Sequence, residues 1–166
     1  ISYEKQDVVL IGSDTIQGEL YVVQSFKQLV DKNTLCLPEA EIVDKPTIKK
    51  RGLAIGLHWF NKYEEAIKRL VELKGNFIYT TGSILNSKFS KKWQEPFNEQ
   101  DKNTLKKYID LCNKYFIEAI LAFSPRGESP VKYSSDDLTD ILFKKIDTLC
   151  ELGFRNFALS FDDLQN

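Results

Sequence analysis

FALSFDD, residues 157–163, is the stretch that decides the fold of this 166-residue chain. Its first five residues form an apolar run that is typical of a parallel strand buried on both faces. Asp162 and Asp163 follow at the carboxyl tip of that strand, where the loops of an α/β barrel build active sites. Two adjacent acids in this position indicate acid/base chemistry. The alternative is an ordinary cap of a following helix.

The preceding sequence repeats the same alternation of strand and helix. Apolar runs predict strands at 53–57, 76–80, 117–123 and 157–161, and helical periodicity predicts helices at 63–73, 101–115 and 135–152. This alternation is typical of parallel βαβ units with right-handed crossovers. Two α/β architectures stay open, a flavodoxin-like open sheet and the first half of an eightfold barrel. Half a barrel leaves two strand edges unpaired, so we expect the chain to be a fragment.

The first 45 residues have a different character. A β-rich run at 8–11 predicts a strand, and apolar spacing at 18–30 predicts a helix. The segment 31–50 contains Pro38 and Pro46 and has poor helical character. We therefore assign residues 1–45 to the end of a preceding α+β domain and a connector, and residues 46–166 to a partial barrel domain with strands 1 to 4.

Composition excludes several classes of partner and cofactor. The chain has 23 Lys and Arg against 24 Asp and Glu, which favours neither nucleic acid nor an anionic membrane. We predict no membrane span, because no apolar run reaches the required length of about 20 residues, and we find no signal peptide pattern. Cys36, Cys112 and Cys150 are interpreted as buried free thiols, and with a single His no metal site is predicted. No glycine-rich phosphate loop is present, and we predict no cofactor.

Six segments, in this order and spacing, resemble glycoside hydrolase family 84, which contains β-N-acetylglucosaminidases, among them O-GlcNAcases and bacterial enzymes called hyaluronidases. The segments are residues 21–29, 37–46, 51–52, 93–97, 123–125 and 157–163. The resemblance implies the first half of a TIM-type (β/α)8 barrel, preceded by the last strand and helix of an α/β domain. It also favours a secreted or cell-surface bacterial protein.

The resemblance implies a substrate-assisted, retaining hydrolysis of N-acetylglucosaminides, in which the acetamido oxygen of the substrate attacks its own anomeric carbon. Asp162 would accept the acetamido N–H and stabilise the oxazoline, and Asp163 would protonate the leaving oxygen and then activate water. The implied partner is a glycan or glycoprotein that contains N-acetylglucosamine. The 166 residues alone are expected to be inactive, and the missing half of the barrel or self-association is expected to cover the barrel interior.

Substrate-binding positions depart from the family pattern. The family's first strand reads Arg-Gly-Val-Val-Glu-Gly-Phe-Tyr-Gly, whereas residues 51–59 read RGLAIGLHW and place Ile55 at the Glu. The resemblance assigns Gly52 to close approach of the sugar. His58 either contacts the sugar or packs in a loop beside Trp59.

The end of the second strand also departs, because residues 79–84 read YTTGSI where the family reads Tyr-Ala-Pro-Lys-Asp-Asp. Gly82 stands where a Lys would bond sugar hydroxyls. These changes keep two alternatives open, a non-catalytic relative that binds glycans or proteins and an unrelated open α/β binding domain. Trp93 and Glu95 are predicted to anchor a long loop, with a subsite as the alternative for Trp93.

Overall fold

Residues 8–55, 63–81, 85–125 and 135–160 are described by a computed structural model of the chain. The chain divides into two compact units, Ile1–Lys45 and Pro46–Asn166. The assignment of the first unit to the end of a preceding domain stays a prediction. None of the described helices has the length and hydropathy of a membrane span.

The described part of the first unit contains one helix, α1 (Ile16–Leu29). It begins at Thr15, whose Oγ1 accepts a hydrogen bond of 2.9 Å from the Gly18 N–H, as a helix N-cap does. The predicted helix is therefore confirmed, with a start two residues earlier. The predicted strand at 8–11 is wrong, since these residues are exposed and form no strand. A strand requires a hydrogen-bonded neighbour, and no described segment pairs with this run.

The second unit is built on a parallel sheet. Its strands are β1 (Gly52–Ile55), β2 (Phe77–Thr81), β3 (Glu118–Phe123) and β4 (Asn156–Leu159), in the order β1-β2-β3-β4. A flavodoxin-like sheet reverses its strand order at a switch point, whereas a (β/α)8 barrel keeps the order of the sequence. The fold is thus that of four strands of a (β/α)8 barrel, and the open-sheet alternative is wrong.

The strands are connected by α2 (Tyr63–Glu72), α3 (Asn86–Phe89), α4 (Glu99–Lys114) and α5 (Asp136–Leu152). The three long helices confirm the predicted ones to within two residues at either end. The sequence did not predict α3, because four residues are too few for a helical period to be recognised. Since α4 contacts both α2 and α5, the long helices form a single layer.

The core lies between this helical layer and one face of the sheet. Strand side chains that face the helices, among them Ile78, Leu121 and Phe123, are buried. The opposite face carries Tyr79 and Ile120, which are paired in register and half-buried, together with Glu118 and Asn156. This opposite face, which would line the interior of a barrel, is therefore partly polar.

Tyr108 on α4 joins the helical layer to the sheet. Its hydroxyl forms a hydrogen bond of 2.7 Å with Thr80 Oγ1, and both side chains are buried. The ring of Tyr108 also contacts Tyr63 edge-on, with centroids 5.3 Å apart, and stacks on Phe154 at 6.2 Å. The two hydroxyls satisfy each other in the core, where an unpaired polar group is costly.

The three cysteines are free, as predicted, but only one of them is buried. Cys112 lies beneath Tyr108, and burial raises the pKa of its thiol to about 12, so it is neutral at physiological pH. Cys150 is half-buried and Cys36 is exposed. The expectation of burial was therefore wrong for Cys36, because the segment around it packs no core over the thiol.

We predict that Tyr108→Phe lowers the free energy of unfolding by about 1 to 3 kcal/mol, because it leaves Thr80 Oγ1 buried without a partner. Chemical denaturation of this variant, of Thr80→Val and of the double variant would measure the coupling. The double variant is expected to lose less than the sum of the two single losses. Tyr115→Phe, on a half-exposed tyrosine, is the control. Strictly additive losses would contradict the energetic importance of this bond.

Candidate functional site

The carboxyl ends of the parallel strands share one edge of the sheet, and two backbone hydrogen bonds organise it. The Ser160 N–H, directly after β4, donates to the carbonyl of Phe123 at 2.7 Å. The Ser124 N–H, directly after β3, donates to the carbonyl of Phe89 on α3 at 2.9 Å. These bonds connect β4, β3 and the segment after β2 at the edge where barrel enzymes place catalytic groups.

The segment from the last residue of α3 to the residue before the cap of α4, here called the aromatic loop (residues 89–97), packs against that edge through its rings. Phe89 contacts Phe123 with centroids 5.0 Å apart and Phe97 with centroids 5.5 Å apart. Trp93 and Phe97 are buried. The predicted anchoring role of Trp93 is confirmed, since a side chain that is 2% exposed offers no stacking surface for a sugar. The loop is followed by Asn98, which caps α4 in a capping box with Asp101.

The carboxylate of Glu95 forms ion pairs with two nearby lysines and is not directed at a reaction centre. It pairs with Lys88 Nζ at 2.7 Å and with Lys92 Nζ at 3.5 Å. The hydrogen bond from Lys88 lowers the pKa of Glu95, which is therefore ionised at neutral pH. The predicted loop-bonding role of Glu95 is confirmed. The side chain of Lys88 is only 18% exposed, because it reaches back to this carboxylate.

A buried lysine of α5 also contacts the aromatic loop. Lys145 is 5% exposed, and its Nζ donates to the carbonyl of Trp93 at 2.7 Å and to that of Glu95 at 2.8 Å. The same nitrogen lies 4.4 Å from the centroid of the Phe97 ring, within the range of a cation–π contact. Burial, with a smaller contribution from Lys88, lowers the pKa of Lys145 to about 8.

Sequence reasoning missed Lys145, although a signal exists. The residue lies four positions after Ile141 and four before Leu149, within the apolar stripe of α5. A lysine in such a stripe interrupts a face that otherwise packs on the core. Buried lysines are rare unless they are paired, so this position could have been singled out.

A cavity of about 300 Å³ lies between the aromatic loop, α4 and α5. Its lining includes Lys102, Lys144 and Lys145. Lys102 forms an ion pair with Glu99 at 2.8 Å. The cavity is on the helical side of the sheet rather than at the strand ends. Among the residues that the structure describes, no group of three or more His, Cys, Asp or Glu side chains could hold a metal ion.

The family model described as beta-N-acetylglucosaminidase matches residues 64–166, which is more than half of the chain. The chain belongs to this family, glycoside hydrolase family 84. The structure of CpGH84B is similar with a TM-score of 0.69 and 29% identity, over 90% of this chain and 27% of that one. Rat and mouse proteins named Protein O-GlcNAcase are each 31% identical over 74 residues.

This family-84 chain spans only a small part of its relatives. The matched region is 45% of this chain and 8% of the rat and mouse proteins. The family match includes the positions of Asp162, Asp163 and Gly82, whereas Gly52 and His58 precede it. The activity of the whole protein therefore stays a prediction.

Four of the five predicted site residues of this family-84 chain lie outside the described residues. They are His58, Gly82, Asp162 and Asp163. The described structure ends at Ser160, two positions before Asp162, with the Ser160 N–H bonded to β3. The catalytic and sugar-binding roles of these four residues stay predictions.

Gly52, the fifth predicted site residue, lies at the first position of β1 and is paired in register with Phe77, the first residue of β2. It is therefore at the amino edge of the sheet, opposite the edge that carries Ser160. A Cβ at this position would lie 2.1 Å from the Phe77 carbonyl oxygen. This close approach accounts for the glycine by packing alone, and its role toward a sugar stays a prediction.

We predict that Gly52→Ala destabilises the chain by about 1 to 3 kcal/mol, because the added methyl group overlaps backbone that cannot rotate away. Gly12→Ala is the matched control, since a Cβ at Gly12 meets nothing within 4 Å. Chemical denaturation at equal protein concentration measures both variants. Equal stability of the two variants would contradict the packing explanation for Gly52.

We predict that stability rises between about pH 8 and 10.5 through Lys145. Its pKa is about 8 when folded, below the ordinary value of 10.5, so the unfolded chain binds more protons in this window. The folded chain therefore favours the neutral amine. The free energy of unfolding is expected to rise across this window by at most on the order of 3 kcal/mol. Lys88, Glu95 and Asp101 are charged groups that act on this amine.

Denaturation curves across this pH range would measure the gain as the difference between wild type and Lys145→Met. The difference is needed because burial raises the pKa of Cys112, which acts in the opposite direction at high pH. Lys144→Met is the matched control, because Lys144 is an exposed neighbour on the same helix. If the free energy of unfolding depends on pH in the same way for wild type and Lys145→Met, the pKa of Lys145 is not lowered in the folded chain.

Proposed function

We propose that the protein containing this chain is a β-N-acetylglucosaminidase that hydrolyses N-acetylglucosaminides by a substrate-assisted reaction with retention of configuration. The observation that carries the proposal is the family match over residues 64–166, which includes the FALSFDD stretch after α5. The parallel sheet supports it, because β4 directs the chain toward the edge where barrel enzymes place their catalytic groups.

The two acids take different roles in this proposal. Asp162 accepts the hydrogen bond of the acetamido N–H and stabilises the positive charge that develops on the oxazoline. Asp163 donates a proton to the leaving oxygen and then removes one from the attacking water. This division requires one carboxylate to stay ionised while its neighbour keeps a proton, and repulsion between adjacent carboxylates separates two such pKa values.

The proposed substrate class is a glycan or glycoprotein with a terminal N-acetylglucosamine. The rat and mouse relatives are named Protein O-GlcNAcase, which supports a glycoprotein substrate. A hyaluronan-type glycan is the alternative substrate in this class. Turnover measured with both substrates present would show which of them the protein prefers. The sugar would contact the protein at the carboxyl edge of the sheet.

A non-catalytic relative that binds glycans or proteins is the second candidate. The substitutions that favour it are Ile55, Gly82 and Ser83, where the family carries charged groups. A missing hydrogen bond to a charged group costs about 1.5 to 3 kcal/mol each. Turnover of an N-acetylglucosaminide by the full-length protein would exclude this candidate, and saturable glycan binding without turnover would support it.

We predict that Asp163→Asn lowers kcat of the full-length protein on an N-acetylglucosaminide with an unactivated leaving group by about 100-fold or more, the usual contribution of general acid catalysis. Asp162→Asn is expected to lose activity as well, because the amide cannot stabilise the oxazoline charge. Asp137→Asn, on an exposed acid in the first turn of α5, is the control. Unchanged kcat in Asp163→Asn would refute the general-acid assignment.

A further inference from the structure

We propose that Lys145 is a positioning residue, which holds the carboxyl edge of β3 and β4 in place by clamping the aromatic loop. For its catalytic consequence the inference rests on the proposed function, since Asp162 and Asp163 follow β4. Its structural part stands on contacts of the described residues alone. Lys145 does not touch the substrate in this proposal, and it acts through the loop.

The clamp consists of three contacts from one nitrogen. Lys145 Nζ bonds the carbonyls of Trp93 and Glu95 at 2.7 and 2.8 Å and lies over the ring of Phe97. Within the described part of the chain, no carboxylate lies close enough to Nζ for an ion pair. The lysine therefore holds main-chain atoms, which set the path of the loop more directly than a contact with a side chain would.

A continuous set of contacts leads from the clamp to the strand ends. Phe97 packs on Phe89, and Phe89 packs on Phe123 at the end of β3. The carbonyl of Phe89 accepts the Ser124 N–H, and the carbonyl of Phe123 accepts the Ser160 N–H. Ser160 precedes Asp162 by two residues. Displacement of the loop thus disturbs the last backbone bonds before the acidic pair.

The two hydrogen bonds of the clamp do not depend on the charge of the lysine, whereas its contact with the Phe97 ring is strongest when the amine is protonated. A protonated amine offers three N–H donors and a neutral amine offers two, which still match the two carbonyl acceptors. Lys88 of α3, Glu95 of the aromatic loop and Asp101 of α4 are charged groups that act on the amine. They change its protonation but leave both hydrogen bonds intact, so the loop is expected to keep its position on both sides of neutral pH.

Hydrogen exchange of the full-length protein, followed by mass spectrometry of peptides, tests this positioning role. In Lys145→Met, the amides of Ser124 and Ser160 are expected to exchange at least tenfold faster than in wild type. In Lys144→Met they are expected to stay within about twofold, because Lys144 makes the same change of charge one residue away. Lys145→Arg keeps donors and charge and is expected to restore most of the protection.

If Lys145→Met does not fold, Phe97→Leu provides the second test, because it removes the ring below the ammonium and weakens its contact with Phe89. The same two amides are then expected to exchange about three- to tenfold faster. Unchanged protection of Ser124 and Ser160 in a folded Lys145→Met or Phe97→Leu variant would overturn the proposal, because the clamp would then not reach the strand ends.

Kinetics of the full-length protein separate this proposal from the proposed function. Lys145→Met is expected to lower kcat at least tenfold with a smaller change in KM, since it displaces the acidic pair and not the groups that bind the sugar. Faster exchange of Ser124 and Ser160 in a protein without hydrolase activity would support the positioning role and reject the hydrolase. Unchanged exchange would reject the positioning role, whatever the activity.

Discussion

The parallel hydrogen bonding of β2 with β3 is the constraint on which the rest of the second unit depends. Parallel neighbours require a crossover, and α4 supplies it by packing on the sheet through Tyr108 and Thr80. The same direction of crossover, repeated for β1 and β4, places α2, α4 and α5 in one layer. It also collects the carboxyl ends of the four strands at one edge, where (β/α)8 barrel enzymes place their active sites.

Apolar packing and directional hydrogen bonds both hold the aromatic loop at this edge, and they have different effects. Apolar packing of Phe89, Phe97 and Phe123 holds the aromatic loop near the strand ends but does not specify the path of its backbone. The two hydrogen bonds from Lys145 specify that path, because they are directional and short. Burial disfavours the charged amine and thereby lowers the pKa of Lys145, so a protonated lysine is costly at this position. A costly buried lysine with a defined geometric role is typical of a site where position matters.

Local sequence patterns predicted most of the second unit, since helical periodicity and apolar runs are properties of neighbouring residues. The long helices and four strands were found to within two residues for these reasons. The strand at 8–11 was wrong, because a β-rich run becomes a strand only where a partner pairs with it. Helix α3 was missed because it is too short to show a period. Lys145 could have been singled out from its place in the apolar stripe of α5, but its partners could not, because they lie about 50 residues away in the chain.

The amino-acid sequence by itself determined the βα alternation, the two acids after the last strand and the membership of glycoside hydrolase family 84. These features reside in local spacing and in the identity of neighbouring residues. Only the tertiary structure decided the strand order, the position of Gly52 against Phe77 at the amino edge, and the clamp of Lys145 on the aromatic loop. Each of these arises from contacts between residues distant in the chain, and such contacts leave no periodic signal in the sequence.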